Sequence, residues 1–282
     1  MSVRLIVFSD VDGCLLDRAS GSFEPARPAL LALQRSGVPL VLCSGKTRAE
    51  MEPLAARLGL HTPLVVENGG AIVLPSDPAE LAWHDGGRPA GEPFVLPLGV
   101  PRARLVAALP LVARDAGVEV RAFSGMSAPE VAELTGLCPA DAELALRRDF
   151  DEPFLVQGVS GRDPRLDARL DAAARARGLR VSHGGWLYHL HGPTDKGQGA
   201  RAVARLYDGG AGRTVGLGDA ASDVPLLLAV DRPLLVPGPG GVDPALERAL
   251  PQAERAPQPG PEGWNAAVLA VLAGTTLPRA GA

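Results

Sequence analysis

Two aspartates, Asp10 and Asp12, directly follow the apolar run Leu5–Phe8 and are closed by Gly13. An apolar run with β-branched members that ends abruptly in acids and a glycine predicts a buried parallel strand entering a loop. Two residues of extended chain separate the carboxylates by roughly 6–7 Å, which leaves room for a cation and a phosphate. One carboxylate can then attack phosphorus while the other moves a proton.

The same acid pair also fits two less specific structures, a polar turn at a strand end and a fragment of a calcium loop. A calcium loop requires a third Asp or Asn and a Glu six residues after the glycine. Ala19 stands at that position. The calcium alternative is therefore disfavoured, and the polar turn stays open on these residues alone.

Lysine is rare in this chain, which carries 28 lysines and arginines together but only Lys46 and Lys196 as lysines. Where a sequence otherwise uses arginine, a retained lysine indicates a position that needs a compact ammonium group. Both lysines lie beside small polar residues in segments that lead into predicted helices. For either lysine taken alone, the alternative is that it was retained by chance and has no special role.

Ser44 follows a second apolar strand, and Asp219 and Asp223 follow a third. The Ser44 hydroxyl and the amides after it can bind phosphate oxygens, although a simple helix N-cap is the alternative. Acidic loops at neighbouring strand ends can form an oxygen-only site for Mg²⁺. For Asp223 the alternative is an ordinary favourable charge in the first turn of a helix.

Alternating strands and helices must position these side chains, which predicts an α/β fold with a parallel sheet. The composition shifts to Gly, Pro and charged residues at His84–Pro93, which we interpret as a linker into a second unit that begins with a strand at Phe94. The α/β pattern resumes after Gly185. We therefore predict a Rossmann-like core over residues 1–83 and 187–282, with an inserted α+β cap over residues 84–186.

The composition excludes several classes of protein. A net charge of −4 and 4% aromatic residues argue against nucleic acid as the main partner. No apolar stretch is long enough for a membrane span, and the short N-terminal apolar run lacks signal-peptide features. Three cysteines without metal-site spacing predict free thiols in a reducing compartment, so we expect a cytoplasmic protein. The oligomeric state is not specified by the sequence.

The order of acid pair, strand-end serine, inserted unit, helix-start lysine and strand-end acids resembles the haloacid dehalogenase superfamily of phosphohydrolases. The resemblance covers the whole chain. It implies Asp10 as nucleophile, Asp12 as general acid and base, and Ser44 and Lys196 as phosphoryl-binding residues. It also implies Mg²⁺ as cofactor, bound by Asp10, the Asp12 backbone carbonyl, Asp219 and Asp223, directly or through water. Cys14 departs from the threonine usual in that superfamily.

Several segments further resemble the mannosyl-3-phosphoglycerate phosphatase family, notably Val66–Ile72, Thr135–Leu137, Arg148–Phe154 and Gly184–Leu190. That resemblance implies hydrolysis of a small phosphorylated glycoside, mannosyl-3-phosphoglycerate, to mannosylglycerate and phosphate in osmolyte synthesis. Gly45 departs from the family's usual serine. Arg148 can pair with the substrate carboxylate, and the full set of predicted substrate contacts is Gly45, Lys46, Asn68, Gly69, Arg148, Gly184 and Gly185.

Three alternative functions remain open on the sequence. One is a broader phosphatase acting on glucosyl-3-phosphoglycerate or sugar phosphates. Another is a phosphohexomutase, which differs by keeping water away from its phosphorylated aspartate. A phospholigand-binding module without activity is disfavoured, because every catalytic element is present.

Overall fold

A computed structural model describes residues 5–75, 94–159, 163–184, 187–207 and 212–279. The strands are β1 (Leu5–Ser9), β2 (Leu40–Cys43), β3 (Leu64–Val66), β4 (Ala71–Leu74), β5 (Phe94–Pro97), β6 (Val120–Ala122), β7 (Asp151–Val156), β8 (Arg180–Gly184), β9 (Leu187–His191), β10 (Arg213–Gly218), β11 (Arg232–Leu235) and β12 (Glu254–Arg255). The helices are α1 (Arg27–Arg35), α2 (Arg48–Arg57), α3 (Arg102–Ala116), α4 (Ala128–Thr135), α5 (Pro139–Leu146), α6 (Pro164–Arg175), α7 (Lys196–Leu206), α8 (Val224–Leu227), α9 (Pro244–Ala249) and α10 (Gly260–Leu272).

The larger sheet, which we call the core sheet, has eight strands in the order β12-β11-β10-β1-β2-β3-β4-β5. The six strands from β12 to β3 run parallel, and β4 and β5 each run antiparallel to the preceding strand. Because successive side chains of a strand point to opposite faces, Val7 packs on the α1 and α10 side while Ile6 and Phe8 pack on the α7 side. The predicted α/β fold with a mostly parallel sheet is confirmed.

A second, antiparallel sheet has the order β6-β7-β9-β8 and forms the cap sheet. Helices α3 and α6 cover one of its faces, where Leu105 and Leu170 pack with Phe154 of β7. Helices α4 and α5 form a smaller apolar cluster with Leu155 and Leu187. The cap is therefore an α+β unit, as the sequence predicts.

The predicted boundaries of the cap are wrong for two strands. The strand at Phe94 was assigned to the cap, but β5 pairs with β4 in the core sheet, with Ala71 opposite Pro97. Residues from 187 onward were assigned to the core, but β9 pairs with β7 and β8 in the cap sheet. Sheet membership depends on long-range pairing, which the local pattern of an isolated strand does not encode.

The chain therefore crosses between the two sheets at residues 98–101, between β5 and α3, and again at residues 192–195, between β9 and α7. The predicted linker at His84–Pro93 lies outside the described residues, and the strand that follows it, β5, pairs in the core sheet. Gly192 lies against the backbone of Gly99 and Val100, so the two crossings run side by side.

Among the described helices, none combines the length and hydrophobicity that a bilayer-spanning helix requires.

Candidate active site

Three neighbouring parallel strands, β10, β1 and β2, end at the same edge of the core sheet and carry the predicted acids and serine. Asp10 follows β1, and its amide donates to Leu217 O at 2.9 Å. Ser44 follows β2, and its amide donates to Val65 O at 3.0 Å. Asp219 follows β10. Open α/β sheets bind their ligands at the carboxyl ends of the strands, and this edge of the sheet is therefore the candidate site.

Lys196, the first residue of α7, joins the two halves of the core at this edge. Its ammonium donates to Asp10 Oδ1 at 2.6 Å and to Asp223 Oδ1 at 2.7 Å, and the side chain is 3% exposed. Burial alone would lower the pKa of Lys196, but the carboxylates of Asp10 and Asp223 outweigh it and raise the pKa. The lysine is therefore permanently charged and holds two carboxylates from distant parts of the chain.

Carboxylate oxygens of Asp10, Asp219 and Asp223 lie within 4.8 Å of one another. Burial and repulsion from Asp10 raise the pKa values of Asp219 and Asp223, and the charge of Asp223 raises that of Asp219 further. Oδ1 of Asp219 is buried and has no hydrogen-bond partner among the described residues. Three closely spaced carboxylates, one of which has an oxygen without a partner in the described part of the chain, suit a hard cation that prefers oxygen ligands, such as Mg²⁺. These residues can therefore hold a metal ion.

The Asp12 side chain differs from those of Asp10, Asp219 and Asp223 because it is 46% exposed. Its Oδ2 lies 3.2 Å from Lys46 Nζ. Its backbone oxygen accepts a hydrogen bond from Arg18 Nη2 at 2.9 Å, and the same nitrogen donates to Asp219 Oδ2 at 2.8 Å. Arg18 was not predicted, because one exposed arginine among many carries no distinguishing signal in the sequence.

The loop after Asp10 is closed by main-chain hydrogen bonds, in which Gly13 donates to Leu16 O and Leu16 to Val11 O, both at 2.8 Å. Gly13 has φ +88°, and a Cβ there would lie 2.6 Å from both Arg18 Nη2 and Asp219 Oδ2. Only glycine fits this position. The neighbouring Cys14 is fully buried, and burial followed by the charge of Asp10 raises the pKa of its thiol, so it remains neutral.

The segment from Ser44 to Thr47, which we call the phosphate loop, connects β2 to α2. Ser44 is 3% exposed, and its hydroxyl accepts the amide of Lys46 at 3.2 Å. The N-cap of α2 is Thr47, which forms a reciprocal capping box with Glu50. Ser44 is therefore not the N-cap of α2, although the sequence left that alternative open. Its hydroxyl lies beside the backbone amides at the start of that helix.

The segment from Glu67 to Gly70 packs on the phosphate loop and on the start of α7. The Asn68 amide donates to Ser44 O at 2.9 Å, and the Asn68 side chain lies against Gly45. Gly69 has φ +90°, and a Cβ there would overlap the carbonyl of Asp195 beside Lys196. The structure therefore brings Asn68 and Gly69 to the phosphate loop and to the residue before Lys196.

Arg148 lies between the cap and the phosphate loop. Its Nη1 donates to Gly45 O at 3.1 Å and to Asp151 Oδ2 at 2.8 Å. His189 Nδ1 lies 2.8 Å from the same carboxylate oxygen. Arg148 Nε and Asp151 Oδ1 are buried without a hydrogen-bond partner among the described residues. Sequence reasoning did not select Asp151 or His189 because their proximity depends on the pairing of β7 with β9.

The structure does not place two of the predicted substrate contacts, Gly184 and Gly185, beside Arg148 and the phosphate loop. Gly184 ends β8, where it pairs with Leu187 in the cap sheet, and Gly185 lies outside the described residues. A further contact between cap and core is the Thr47 hydroxyl, which donates to Leu144 O of α5 at 2.9 Å. The cap therefore contacts the helix that begins at the phosphate loop.

Comparison with known proteins defines the class. Residues 7–81 match the haloacid dehalogenase-like hydrolase family. The fold is similar to that of the sucrose-phosphatase from Synechocystis sp. PCC6803, with a TM-score of 0.61, 15% identity and coverage of 97% of this chain and 98% of that one. It is also similar to a haloacid dehalogenase-like hydrolase from Bacteroides thetaiotaomicron, with a TM-score of 0.65, 15% identity and coverage of 96% and 99%.

Two relatives extend the similarity along almost the entire chain. Both are glucosyl-3-phosphoglycerate/mannosyl-3-phosphoglycerate phosphatases. The one from Methanococcoides burtonii is 35% identical over 96% of this chain and 98% of its own length. The one from Persephonella marina is 32% identical over 95% and 97%. The chain belongs to the haloacid dehalogenase-like hydrolases and, within them, to the phosphoric monoester hydrolases that include these two enzymes.

Proposed function

We propose that this chain hydrolyses mannosyl- or glucosyl-3-phosphoglycerate to the glycosylglycerate and phosphate. The observation that carries the chemistry is the buried Lys196 ammonium between Asp10 and Asp223, at the sheet edge where Ser44 also lies. The substrate is inferred from the relatives, whose similarity includes the cap as well as the core. The sequence resemblance alone favours mannosyl-3-phosphoglycerate as the substrate. The relatives are named for both the glucosyl and the mannosyl compound, which supports hydrolysis of both.

Asp10 is the proposed nucleophile. Lys196 holds Oδ1 at 2.6 Å, which fixes the carboxylate and leaves Oδ2 to attack phosphorus. A bond forms between Asp10 Oδ2 and phosphorus while the ester P–O bond breaks, and the leaving alkoxide takes a proton. In the second half-reaction water attacks phosphorus, and the bond to Asp10 breaks. The ammonium lessens the repulsion between an anionic nucleophile and a phosphate dianion.

Asp12 is the proposed acid and base. Two residues after the nucleophile, its half-exposed side chain can give a proton to the leaving oxygen and later take one from water. One carboxyl group thus serves two half-reactions in opposite directions. Lys46, at 3.2 Å, orients this carboxylate. In-line phosphoryl transfer depends mainly on such positioning and on charge.

Mg²⁺ is the proposed cofactor, held by the carboxylates of Asp10 and Asp219, by the Asp12 carbonyl and by Asp223 through water. When bound, it neutralises negative charge that develops on the phosphoryl oxygens. Arg18 donates to Asp219 Oδ2 and Lys196 to Asp223 Oδ1, and Asp219 Oδ1, which has no partner among the described residues, is available to the ion. The Ser44 hydroxyl and the amides after it bind the remaining phosphoryl oxygens.

Arg148 is the proposed contact for the glycerate carboxylate. Its Nε, which has no hydrogen-bond partner in the part of the chain that the structure describes, lies in the cap next to the phosphate loop, and Asp151 holds the guanidinium through Nη1. Asp151 also holds His189 through Nδ1, which leaves Nε2 for a hydroxyl or carboxylate oxygen. A site built to pair with polar groups rejects ligands that lack them, and simple phosphomonoesters are therefore poor substrates in this proposal.

Trapping the phosphorylated aspartate tests the chemistry. In Asp12→Asn, p-nitrophenyl phosphate should still phosphorylate Asp10, because its leaving group needs no proton, whereas hydrolysis is blocked. We expect a nitrophenolate burst stoichiometric with enzyme and a phosphoryl group on the Asp10 peptide by mass spectrometry after acid quenching. Asp10→Asn should show neither. A burst with no phosphorylated peptide, or with the phosphoryl group on another residue, would refute Asp10 as nucleophile.

A further inference from the structure

Glu67 is a buried carboxylate that the proposed chemistry does not use. It follows β3, is 2% exposed and lies in the core. Its carboxylate nevertheless accepts hydrogen bonds from the cap, with Oε1 receiving the Asp149 amide at 2.9 Å and Oε2 the Phe150 amide at 2.8 Å. Burial raises the pKa of Glu67 to about 7, against the opposing effects of Arg148 and of these two amides, and above that pH the ionised carboxylate makes stronger hydrogen bonds than a neutral acceptor does. Glu67 therefore binds the segment that immediately follows Arg148.

We propose that Glu67 is a positioning residue that fixes the cap segment 148–150 to the phosphate loop, so that Arg148 faces the substrate next to the phosphoryl site. This inference deepens the proposed function and rests on it for the identity of the substrate. The hydrogen bonds themselves can be tested without any substrate.

The main chain of Glu67 supplies the other half of the connection. Its amide donates to Lys46 O at 3.0 Å, and the next amide, of Asn68, donates to Ser44 O at 2.9 Å. One residue thus holds the phosphate loop through its backbone and the cap through its side chain. Glu67 and Asn68 have φ of +47° and +55°. Left-handed backbone at consecutive non-glycine residues persists only where the surroundings impose it, and such residues cluster at functional sites.

The cap side is equally constrained. Arg102 N donates to Asp149 O at 2.7 Å, so the segment is held at its carbonyl as well as at its amides. Close packing of Gly70 against the Cβ of Phe150 leaves no space for a side chain between core and cap. A shift of residues 149 and 150 would therefore carry Arg148 away from Gly45 and from the substrate.

Substitutions of Glu67 can separate this role from general stability. Glu67→Ala removes both acceptors. Glu67→Gln keeps the shape, and its carbonyl oxygen in the place of Oε2 can still accept the Phe150 amide at 2.8 Å and the Asp149 amide at 3.2 Å, but its NH₂ group replaces the acceptor of the shorter 2.9 Å bond from Asp149. Because both oxygens are used, we expect Gln to be intermediate between wild type and Ala. Glu133→Gln, on an exposed position of the cap helix α4, is the matched control.

The kinetic test compares glucosyl-3-phosphoglycerate with p-nitrophenyl phosphate, which has no carboxylate for Arg148. Glu67→Ala should raise KM for the glycoside about 10- to 100-fold, the scale of a small misplacement of a binding group. For p-nitrophenyl phosphate we expect kcat/KM to stay within about twofold of wild type. Equal losses on the two substrates, or a Gln variant as impaired as Ala, would overturn the positioning role.

The structural test is hydrogen exchange measured by mass spectrometry on the full-length chain without substrate. Peptides that contain the Asp149 and Phe150 amides should exchange faster in Glu67→Ala than in wild type and Glu133→Gln, with Glu67→Gln between them. Peptides from β1 and β10 should be unchanged. Unchanged exchange at 149–150 would refute the inference. If exchange changes as expected but no glycosyl-3-phosphoglycerate is hydrolysed, the proposed substrate fails and the positioning role stands.

Discussion

Replacing Lys196 with Met should destabilise the protein strongly, because the lysine is the buried cation among three buried carboxylates. It lies 2.6 Å from Asp10 and 2.7 Å from Asp223 and is 3% exposed. Removing one partner of a buried, hydrogen-bonded ion pair costs about 3–5 kcal/mol. For a chain of this size each kcal/mol corresponds to about 2–4 °C in Tm. We therefore expect Tm to fall by about 10 °C in metal-free buffer near neutral pH.

The pH dependence of this loss follows from the carboxylates that remain. The folded-state pKa values of Asp219 and Asp223 already lie above those of the unfolded chain, because of burial and repulsion from Asp10. Proton binding therefore favours the folded state, and stability falls as pH rises through the raised values. Without Lys196 these pKa values rise further. The Tm deficit of Lys196→Met should be larger at about pH 8 than at about pH 5.

The assay is thermal unfolding followed by circular dichroism in chelated buffer, with Lys46→Met as control. Lys46 is the other lysine, partly exposed and 3.2 Å from the half-exposed Asp12, and such pairs contribute at most about 1 kcal/mol. A Lys196→Met protein that unfolds within the range of this control, or that loses more Tm at low pH than at high pH, would refute the account of the buried cluster.

Three further outcomes are expected. Asp10→Asn should fold normally but lose phosphate release by several orders of magnitude, and near-normal turnover would exclude it as nucleophile. Arg148→Ala should cost about 2–4 kcal/mol in kcat/KM for glycosyl-3-phosphoglycerate and little for p-nitrophenyl phosphate, whereas equal losses would make the residue structural. Mg²⁺ should raise the Tm of the wild-type protein, and Asp219→Asn should weaken this rise; an unchanged Mg²⁺ titration in that variant would remove Asp219 from the metal site.

Local patterns were sufficient to predict most elements of the core. The sequence predicts a strand over Leu5–Ser9 in the core and a helix over Arg102–Ala116 in the cap, and the structure has both over those residues, because each combines a clear apolar pattern with a definite start or stop signal. The structure also brings Asp10, Ser44, Lys196 and Asp223 to one edge of the sheet. Parallel strands must place their carboxyl ends together, so strand-end polar residues are informative before the pairing partners are known.

The errors arose where distant pairing decides the structure. The short apolar strand β5 joins the core sheet and not the cap, and β9 joins the cap and not the core. The segment before β5, which is rich in Gly, Pro and charged residues, resembles a domain boundary, and β9 follows β8 of its own sheet after only two residues. The sequence also predicts a helix over Asp223–Val230, whereas α8 spans only Val224–Leu227.

The residues of the candidate site that sequence reasoning missed act through contacts between segments that are distant in the sequence. Glu67 binds backbone amides that lie more than 80 positions away, and Arg18 reaches Asp219 across the core loops. An acid after a buried strand is a recognisable signal in both Glu67 and Asp10. What the sequence does not show is whether such an acid faces a metal, a lysine or the backbone of another unit.

Steady-state phosphate release from a substrate panel tests the central claim most directly. With Mg²⁺ present, kcat/KM for mannosyl- or glucosyl-3-phosphoglycerate should exceed that for hexose phosphates and for 3-phosphoglycerate alone by at least about 30-fold, the value of one charge-assisted contact combined with a filled sugar site. Comparable kcat/KM values across the panel, or a hexose phosphate as the preferred substrate, would contradict the proposed function.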